Sequence, residues 1–279
     1  MKGFKDDLQE NGVAAEYRDY NAHGNMGTAG QIATQIASDA PDLIVAIATP
    51  TAQACAKTLE KAPQLAKTPM LFTAITDPLA AGLVKDYMHP GPNITGVSNQ
   101  MPMDKHLEML RRVLPKLATL GVLYNSGEVN SASNVKRLKE AAASMNITIL
   151  DGPVTNSADV AQAAQSLVGK VDALFVPTDN TVVSVLETVI KICEKTQLPL
   201  FSADTDSVKR GTIAAMGFDY YQHGRQTGAM ARKILAGAKP ESLPVEFQKD
   251  LAFHVNPKAA ERMGLKLDKA IVDSADTLY

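Results

Sequence analysis

The feature that most constrains this chain is an alternation. Apolar runs of strand length recur between segments of helical period along nearly its whole length, the pattern of βαβ units built around parallel sheets. Strands are predicted over residues 13–20, 43–48, 70–75, 95–98, 120–125, 147–150, 173–177, 198–202 and 213–217. Helices are predicted near 28–38, 51–61, 104–113, 131–145, 158–168, 181–195 and 220–236. The run Leu43-Ile44-Val45-Ala46-Ile47-Ala48 is apolar throughout rather than alternating. Strands covered by helices on both faces look like that. With 279 residues the chain is long enough for two such units.

A break falls near residues 89–103, where the turn cluster His89-Pro90-Gly91-Pro92-Asn93 precedes a short strand and a fresh helix-strand series. Further passages are expected at Gly217-Phe218 and near residues 247–255. The expected organisation is an N-terminal lobe of residues 1–99 plus about 219–244, and a C-terminal lobe of 100–218 plus about 245–279.

Composition excludes several functions. The 28 basic and 30 acidic residues leave a net charge of −2, with no basic patch to displace counterions from a nucleic acid. No apolar run reaches the ~18 residues that span a bilayer. The opening Met1-Lys2-Gly3-Phe4-Lys5-Asp6-Asp7 lacks the apolar core of an export signal. Cys55 and Cys193 lie inside helical stretches, as buried thiols do. None of the 5 histidines forms an i, i+4 pair, and Asp204 with Asp206 lacks the fuller oxygen set of a divalent-metal site. No nucleophile elbow, phosphate loop or dinucleotide fingerprint occurs, so no cofactor, metal or catalytic residue is expected.

Ligands of open α/β sheets bind beyond the carboxyl ends of the strands, where helix N-termini also point. Strand 43–48 runs into Thr49-Pro50-Thr51-Ala52, which predicts a capping hydroxyl, a proline at the first helical position and free amides at Thr51 and Ala52. Strand 70–75 runs into Thr76-Asp77-Pro78. Together these turns suit a carboxylate, each helix end adding roughly 0.3–1 kcal/mol; taken singly, each is also an ordinary cap. The other lobe offers acids and amides: Asn125, Glu128 and Asn130 after strand 120–125, Asp179 and Asn180 after 173–177, and Asp204 after 198–202. Glu128, Asp179 or Asp204 would neutralise a ligand ammonium; Asp179 and Asp204 read equally as helix caps.

Five segments in order, Ala48-Thr49-Pro50-Thr51-Ala52-Gln53, Phe72-Thr73-Ala74-Ile75-Thr76-Asp77-Pro78, Asn125-Ser126-Gly127-Glu128-Val129-Asn130, Asp179-Asn180-Thr181 and Gly217-Phe218-Asp219-Tyr220-Tyr221, resemble the extracytoplasmic substrate-binding proteins of ABC transporters, in the branch that includes aromatic-amino-acid binders. The resemblance covers essentially the whole chain. It implies two Rossmann-like lobes with parallel sheets joined by three crossing segments, the type I periplasmic-binding-protein architecture, closing on a small ligand that is passed to a permease and its ATPase. It also implies a periplasmic or other extracytoplasmic location. Carried over residue by residue, Thr49, Thr51 and Thr76 match the carboxylate-binding turns, and Glu128, Asn130, Asp179 and Asn180 match the opposing polar contacts. Asp204 and Asp219 join the set, Asp219 serving also as a helix start, with Tyr220 or Tyr221 a candidate to flank an aromatic ligand. Against the family pattern this chain starts inside the first helix, so the family's first strand, between 13–20 and 43–48, is expected to be missing.

The leading expectation is therefore a non-enzymatic binding protein for a small zwitterion such as an amino acid. Micromolar affinity asks for about 8 kcal/mol. The alternatives are a two-lobed α/β enzyme acting on a sugar or nucleotide, which needs a general base and usually a phosphate loop, and a transcriptional effector domain, which needs an appended DNA-binding helix pair.

Overall fold

Every predicted strand except the first pairs into a sheet in the computed structural model, which describes residues 1–279. In chain order the strands are β1 (Ile44–Ile47), β2 (Met70–Ile75), β3 (Ile94–Ser98), β4 (Thr119–Asn125), β5 (Thr148–Val154), β6 (Ala173–Val176), β7 (Leu200–Ser202), β8 (Ala214–Gly217), β9 (Glu246–Phe247), β10 (Ala252–Val255) and β11 (Thr277–Leu278). The helices are α1 (Lys2–Glu10), α2 (Met26–Asp39), α3 (Thr49–Leu59), α4 (Met103–Val113), α5 (Val129–Ser144), α6 (Val160–Leu167), α7 (Asn180–Ser184), α8 (Leu186–Thr196), α9 (Asp206–Arg210), α10 (Tyr220–Leu235), α11 (Pro257–Arg262) and α12 (Lys269–Asp273). The chain divides into two units, Met1–Gln100 with Asp219–Lys249, and Met101–Phe218 with Asp250–Tyr279.

The first unit holds a four-stranded parallel sheet in the order β1-β2-β3-β9. Side chains alternate across it, so Met70 and Phe72 of β2 face a core built with Ala33 and Ala37 of α2 and Ala52 and Cys55 of α3. Leu71 and Val97 face the opposite way, against Phe4 and Leu8 of α1 and Met230, Ala231 and Ile234 of α10. Burial on both faces explains the continuous apolar runs, each large side chain contributing roughly 1.5–3 kcal/mol. The alternation breaks once. Thr73 pairs with Val97 and Ile75 with Ser98, leaving Ala74 as an extra residue at φ +56°. This bulge returns Ile75 to the face of Met70 and Phe72.

Residues 13–20, expected as a strand, form none. The segment has no ladder partner, and its side chains are spent elsewhere: Lys5 pairs with Asp19 at 2.5 Å and stacks over Tyr17, while Arg18 and Tyr20 reach Asp39 at the end of α2. On its outer side β1 is the sheet edge.

The second unit contains a parallel sheet in the order β5-β4-β6-β7 and a smaller one, β11-β10-β8. The smaller sheet departs from the expected all-parallel design, because β10 runs antiparallel to β8, a pairing that needs no helical crossover. β5 runs past its predicted end through Gly152 and Pro153. As an edge strand it loses nothing to a residue without an N–H. The helix expected over 181–195 is two helices, broken at Val185, whose φ of −125° lies outside the helical region.

Candidate functional site

In the first unit the polar residues gather where β1, β2 and β3 end. β1 and β2 are ladder neighbours, and the amide of Ala48 still donates to the Thr73 carbonyl at 3.1 Å as the chain leaves the sheet. Ala48 then adopts φ +69° and ψ 151°, a conformation that costs a non-glycine residue roughly 1–3 kcal/mol and concentrates at binding sites. The detour starts α3 one residue earlier than the cap pattern predicts: Thr49 is the first helical residue and Ala48 the cap. Two consequences follow. Ala52's amide is not free, since it donates to the Ala48 carbonyl at 3.1 Å. Thr49 is 2% exposed and its hydroxyl has no partner at all. A buried hydroxyl left unpaired costs about 1–3 kcal/mol. It lies in the first turn of an 11-residue helix, where backbone amides lack intrahelical acceptors and the dipole favours an anion.

One strand over, Thr76 is buried, its hydroxyl donating to Asn99 Oδ1 at 3.4 Å and its carbonyl accepting from Ser98 Oγ and Gln100 Nε2. Asp77 turns its carboxylate onto the amide of Ala80 at 3.0 Å. Asn99 is buried and reaches the Tyr220 hydroxyl at 3.5 Å, which ties the end of β3 to the start of α10. Asp219 caps that helix, accepting from the amides of Tyr221 at 2.7 Å and Gln222 at 3.3 Å. Thr51 stands in the first turn of α3, half-buried. Thr49, Thr51, Thr76, Asp77 and Asp219 thus belong to one unit. Asn99 and Tyr220 complete its network. Asn99 and Gln100 directly follow β3, and that position was the signal that could have singled out Asn99.

In the second unit the ends of β4 and β6 are knitted together. Asp179 is 1% exposed and accepts from the Asn125 amide at 2.6 Å, Ser131 Oγ at 2.6 Å and the Val182 amide at 2.7 Å. Burial raises its pKa and the charge of Glu128 adds to the rise, while these three hydrogen bonds oppose it. Glu128 spans the same gap. Its Oε1 accepts from the Thr181 amide and hydroxyl at 3.0 and 2.7 Å, and its Oε2 from the Asn180 amide and Nδ2 at 3.1 and 2.6 Å and from Asn130 Nδ2 at 3.1 Å. Asn125 bridges to Thr181 Oγ1 at 2.8 Å and receives the Gly127 amide.

Asp204, after β7, accepts from the amide and hydroxyl of Ser207 at 2.8 and 2.7 Å, and burial raises its pKa. The capping alternative therefore describes what Asp179 and Asp204 do within the unit. These donors to Glu128 and Asp179 are backbone and side-chain amides and hydroxyls. Asn130 Oδ1 is buried and unpartnered, because Nδ2 is committed to the Thr178 carbonyl at 2.9 Å. Sequence identified the acids by type; which oxygens they spend on their own backbone is decided by the fold, and Thr181 and Ser131 entered only there.

Hydrogen-bonding groups at the carboxyl ends of parallel strands, in two units that each close their own core, define a periplasmic-binding-protein architecture. The chain belongs to the ABC transporter substrate-binding protein family, whose model matches residues 1–278. It is 37% identical over 244 residues to the tyrosine-binding protein of Clostridioides difficile (strain R20291), covering 88% of this chain and 68% of that one. A conserved domain protein from Vibrio cholerae O1 biovar El Tor superposes with a TM-score of 0.92 at 39% identity, over 99% of this chain and 93% of the other. An ABC domain from Streptococcus pneumonia, solved in complex with L-Trp, gives a TM-score of 0.92 at 32% identity, over 100% and 94%. The chain is thus a transport substrate-binding protein and not an enzyme, with a small-molecule substrate and an ABC transporter as its partners. The family is typically extracytoplasmic. No helix is long and apolar enough to cross a membrane.

Proposed function

We propose that this protein captures an amino acid, with an aromatic side chain favoured, outside the cytoplasm and hands it to an ABC permease and its ATPase. The α-carboxylate is taken by the first unit at the turns after β1 and β2. The observation that carries this is the buried Thr49 hydroxyl without a partner, in the first turn of α3 beside the Thr76 turn. An anion arriving there meets a donor whose desolvation has already been paid for, so a carboxylate gains a hydrogen bond without stripping water from the hydroxyl. The acidic edge of the second unit, with Glu128, Asp179 and the unpartnered Asn130 Oδ1, offers the complementary chemistry that selects a cationic ammonium. The ligand-binding set proposed is Thr49, Thr51, Ala52, Thr76, Asp77, Asn125, Glu128, Asn130, Asp179, Asn180, Asp204 and Asp219, several acting through the loops they hold. The relatives that bind tyrosine and tryptophan support the aromatic preference.

Isothermal titration calorimetry with L-tyrosine, L-tryptophan, tyramine and 3-(4-hydroxyphenyl)propionate tests it. L-Tyrosine or L-tryptophan is expected to bind at micromolar Kd or tighter, about 8 kcal/mol. Tyramine, which keeps the ammonium and ring without the carboxylate, is expected to bind at least a hundredfold more weakly. Equal binding of tyramine would remove the carboxylate site.

A further inference from the structure

A bulge leaves a backbone amide outside the ladder, and a buried amide must find an acceptor. Ala74 is the bulged residue of β2, two positions before Thr76, and its amide donates to Nε2 of His223 on α10 at 3.0 Å. The other ring nitrogen, Nδ1, lies 2.9 Å from Gln248 Oε1. Gln248 is fixed in turn by its Nε2 donating to the Asp219 carbonyl at 3.3 Å. An amide oxygen only accepts, so Nδ1 carries the proton and Nε2 is the bare acceptor that Ala74 needs. One turn further along α10, Thr227 Oγ1 meets Thr73 Oγ1 at 2.8 Å and donates back to the His223 carbonyl at 2.9 Å. The end of β2 is thus fastened to α10 at two successive residues, and the histidine, 1% exposed, holds the one in the left-handed conformation.

We propose that His223 is the positioning residue of the carboxylate-binding turn: its neutral imidazole, protonated on Nδ1, accepts the Ala74 amide and so fixes the path on which β2 delivers Thr76. This rests on the carboxylate site proposed above. Protonating Nε2 would set its new N–H against the N–H of Ala74, and the nearby Val97 carbonyl of β3 is the acceptor to which it would turn. The amide would then be orphaned and the turn released. Burial lowers the histidine's pKa, while Gln248 and the Val97 carbonyl oppose it. The Tyr220 ring stands edge-on at 6.3 Å, and Glu246 is turned away to Gln226 and Lys233. The imidazole is therefore neutral at pH 8 and takes its proton as acid rises below the ordinary histidine range.

The test combines calorimetry with L-tyrosine between pH 8 and 5, where the ligand's own carboxylate and ammonium do not titrate, with amide exchange and imidazole nitrogen shifts measured by NMR. In the native protein affinity is expected to fall as the pH is lowered, by up to about tenfold where the imidazole is fully protonated. His223→Gln, which offers a non-titrating oxygen near the place of Nε2, is expected to bind within about threefold of native at pH 8 and to lose the pH dependence. His223→Leu is expected to weaken binding about tenfold at pH 8 and to accelerate Ala74 amide exchange in the unliganded protein. Parallel pH profiles for native and His223→Gln, or an imidazole with its neutral proton on Nε2, would overturn the assignment. Should L-tyrosine fail to bind at any pH, the carboxylate reading falls, while the tautomer and the Ala74 exchange rate still decide the role of His223.

Discussion

A hydroxyl buried without a partner stabilises nothing in the empty protein, which gives Thr49 an unusual pair of mutational signs. Valine has the same branched shape without the oxygen, so Thr49→Val removes an unsatisfied polar group and keeps the packing of the first turn of α3. We expect the unliganded variant to be more stable than the native protein by about 1 kcal/mol and to bind L-tyrosine about tenfold more weakly, the hydrogen bond to the ligand being lost. Urea denaturation and calorimetry on the same two samples check both signs; unchanged affinity would show that the hydroxyl does not face the ligand. The strained backbone at Ala48 and Ala74 makes the same point without side chains. Nothing in the letter A announces a positive φ, and both conformations follow from how β1 and β2 leave the sheet. The candidate site was legible only as residue type at predicted strand ends, hydroxyls on one unit and acids and amides on the other. What stayed hidden was the use of each atom, as with Glu128, whose two oxygens receive the loop after β6.

At the scale of elements, legibility followed burial. β2, β4 and β6 are buried along most of their length and read as largely apolar runs, whereas residues 13–20, apolar only in part, meet no partner strand. A strand is a relation between two segments, and one segment's pattern cannot supply the other. The packing of α1 on α10 was equally invisible, although glycines mark it. A Cβ on Gly3 would lie 2.0 Å from the Tyr221 carbonyl oxygen, and one on Gly228 would lie 2.8 Å from Asp7 Cβ. This close approach lets Asp7, 5% exposed, accept from Arg232 Nε at 2.9 Å across the helix pair. Replacing glycine by alanine in a helix ordinarily gains up to about 1 kcal/mol. Here the sign reverses, because the obstacle is backbone and cannot rotate aside. Gly3→Ala is expected to cost at least about 2 kcal/mol by urea denaturation. Hydrogen exchange should show protection lost over Lys2–Glu10 and kept in β4 and β6; a neutral or stabilising effect would mean that α1 is not seated against α10.

For the molecule as a whole, stability against acid depends on histidines that the sequence scatters without distinction and the fold separates sharply. His106, on α4, is 1% exposed in the core of the second unit, its ring 5.4 Å from that of Phe175 and its Nδ1 without a partner. Desolvation pushes its pKa from 6.5 down to about 4, the nearby Asp104 opposing only weakly. Above pH 6.5 the ring is neutral in both the folded and the unfolded chain and costs nothing. Below it the unfolded chain takes up a proton that the folded chain refuses, so stability falls steadily until the pH reaches about 4. The full loss is roughly 3 kcal/mol for this one residue. Asp179 and Asp204, whose pKa values are raised by burial, act in the opposite sense, because the folded chain takes their protons first. A difference measurement separates these contributions. His106→Leu keeps an apolar side chain against Phe175 and deletes the titration, so its unfolding free energy minus that of the native protein should grow by roughly 3 kcal/mol as urea titrations are repeated from pH 7 down to 4. A difference that stays constant over that range would assign the acid sensitivity to other groups, since no other change in the variant depends on pH.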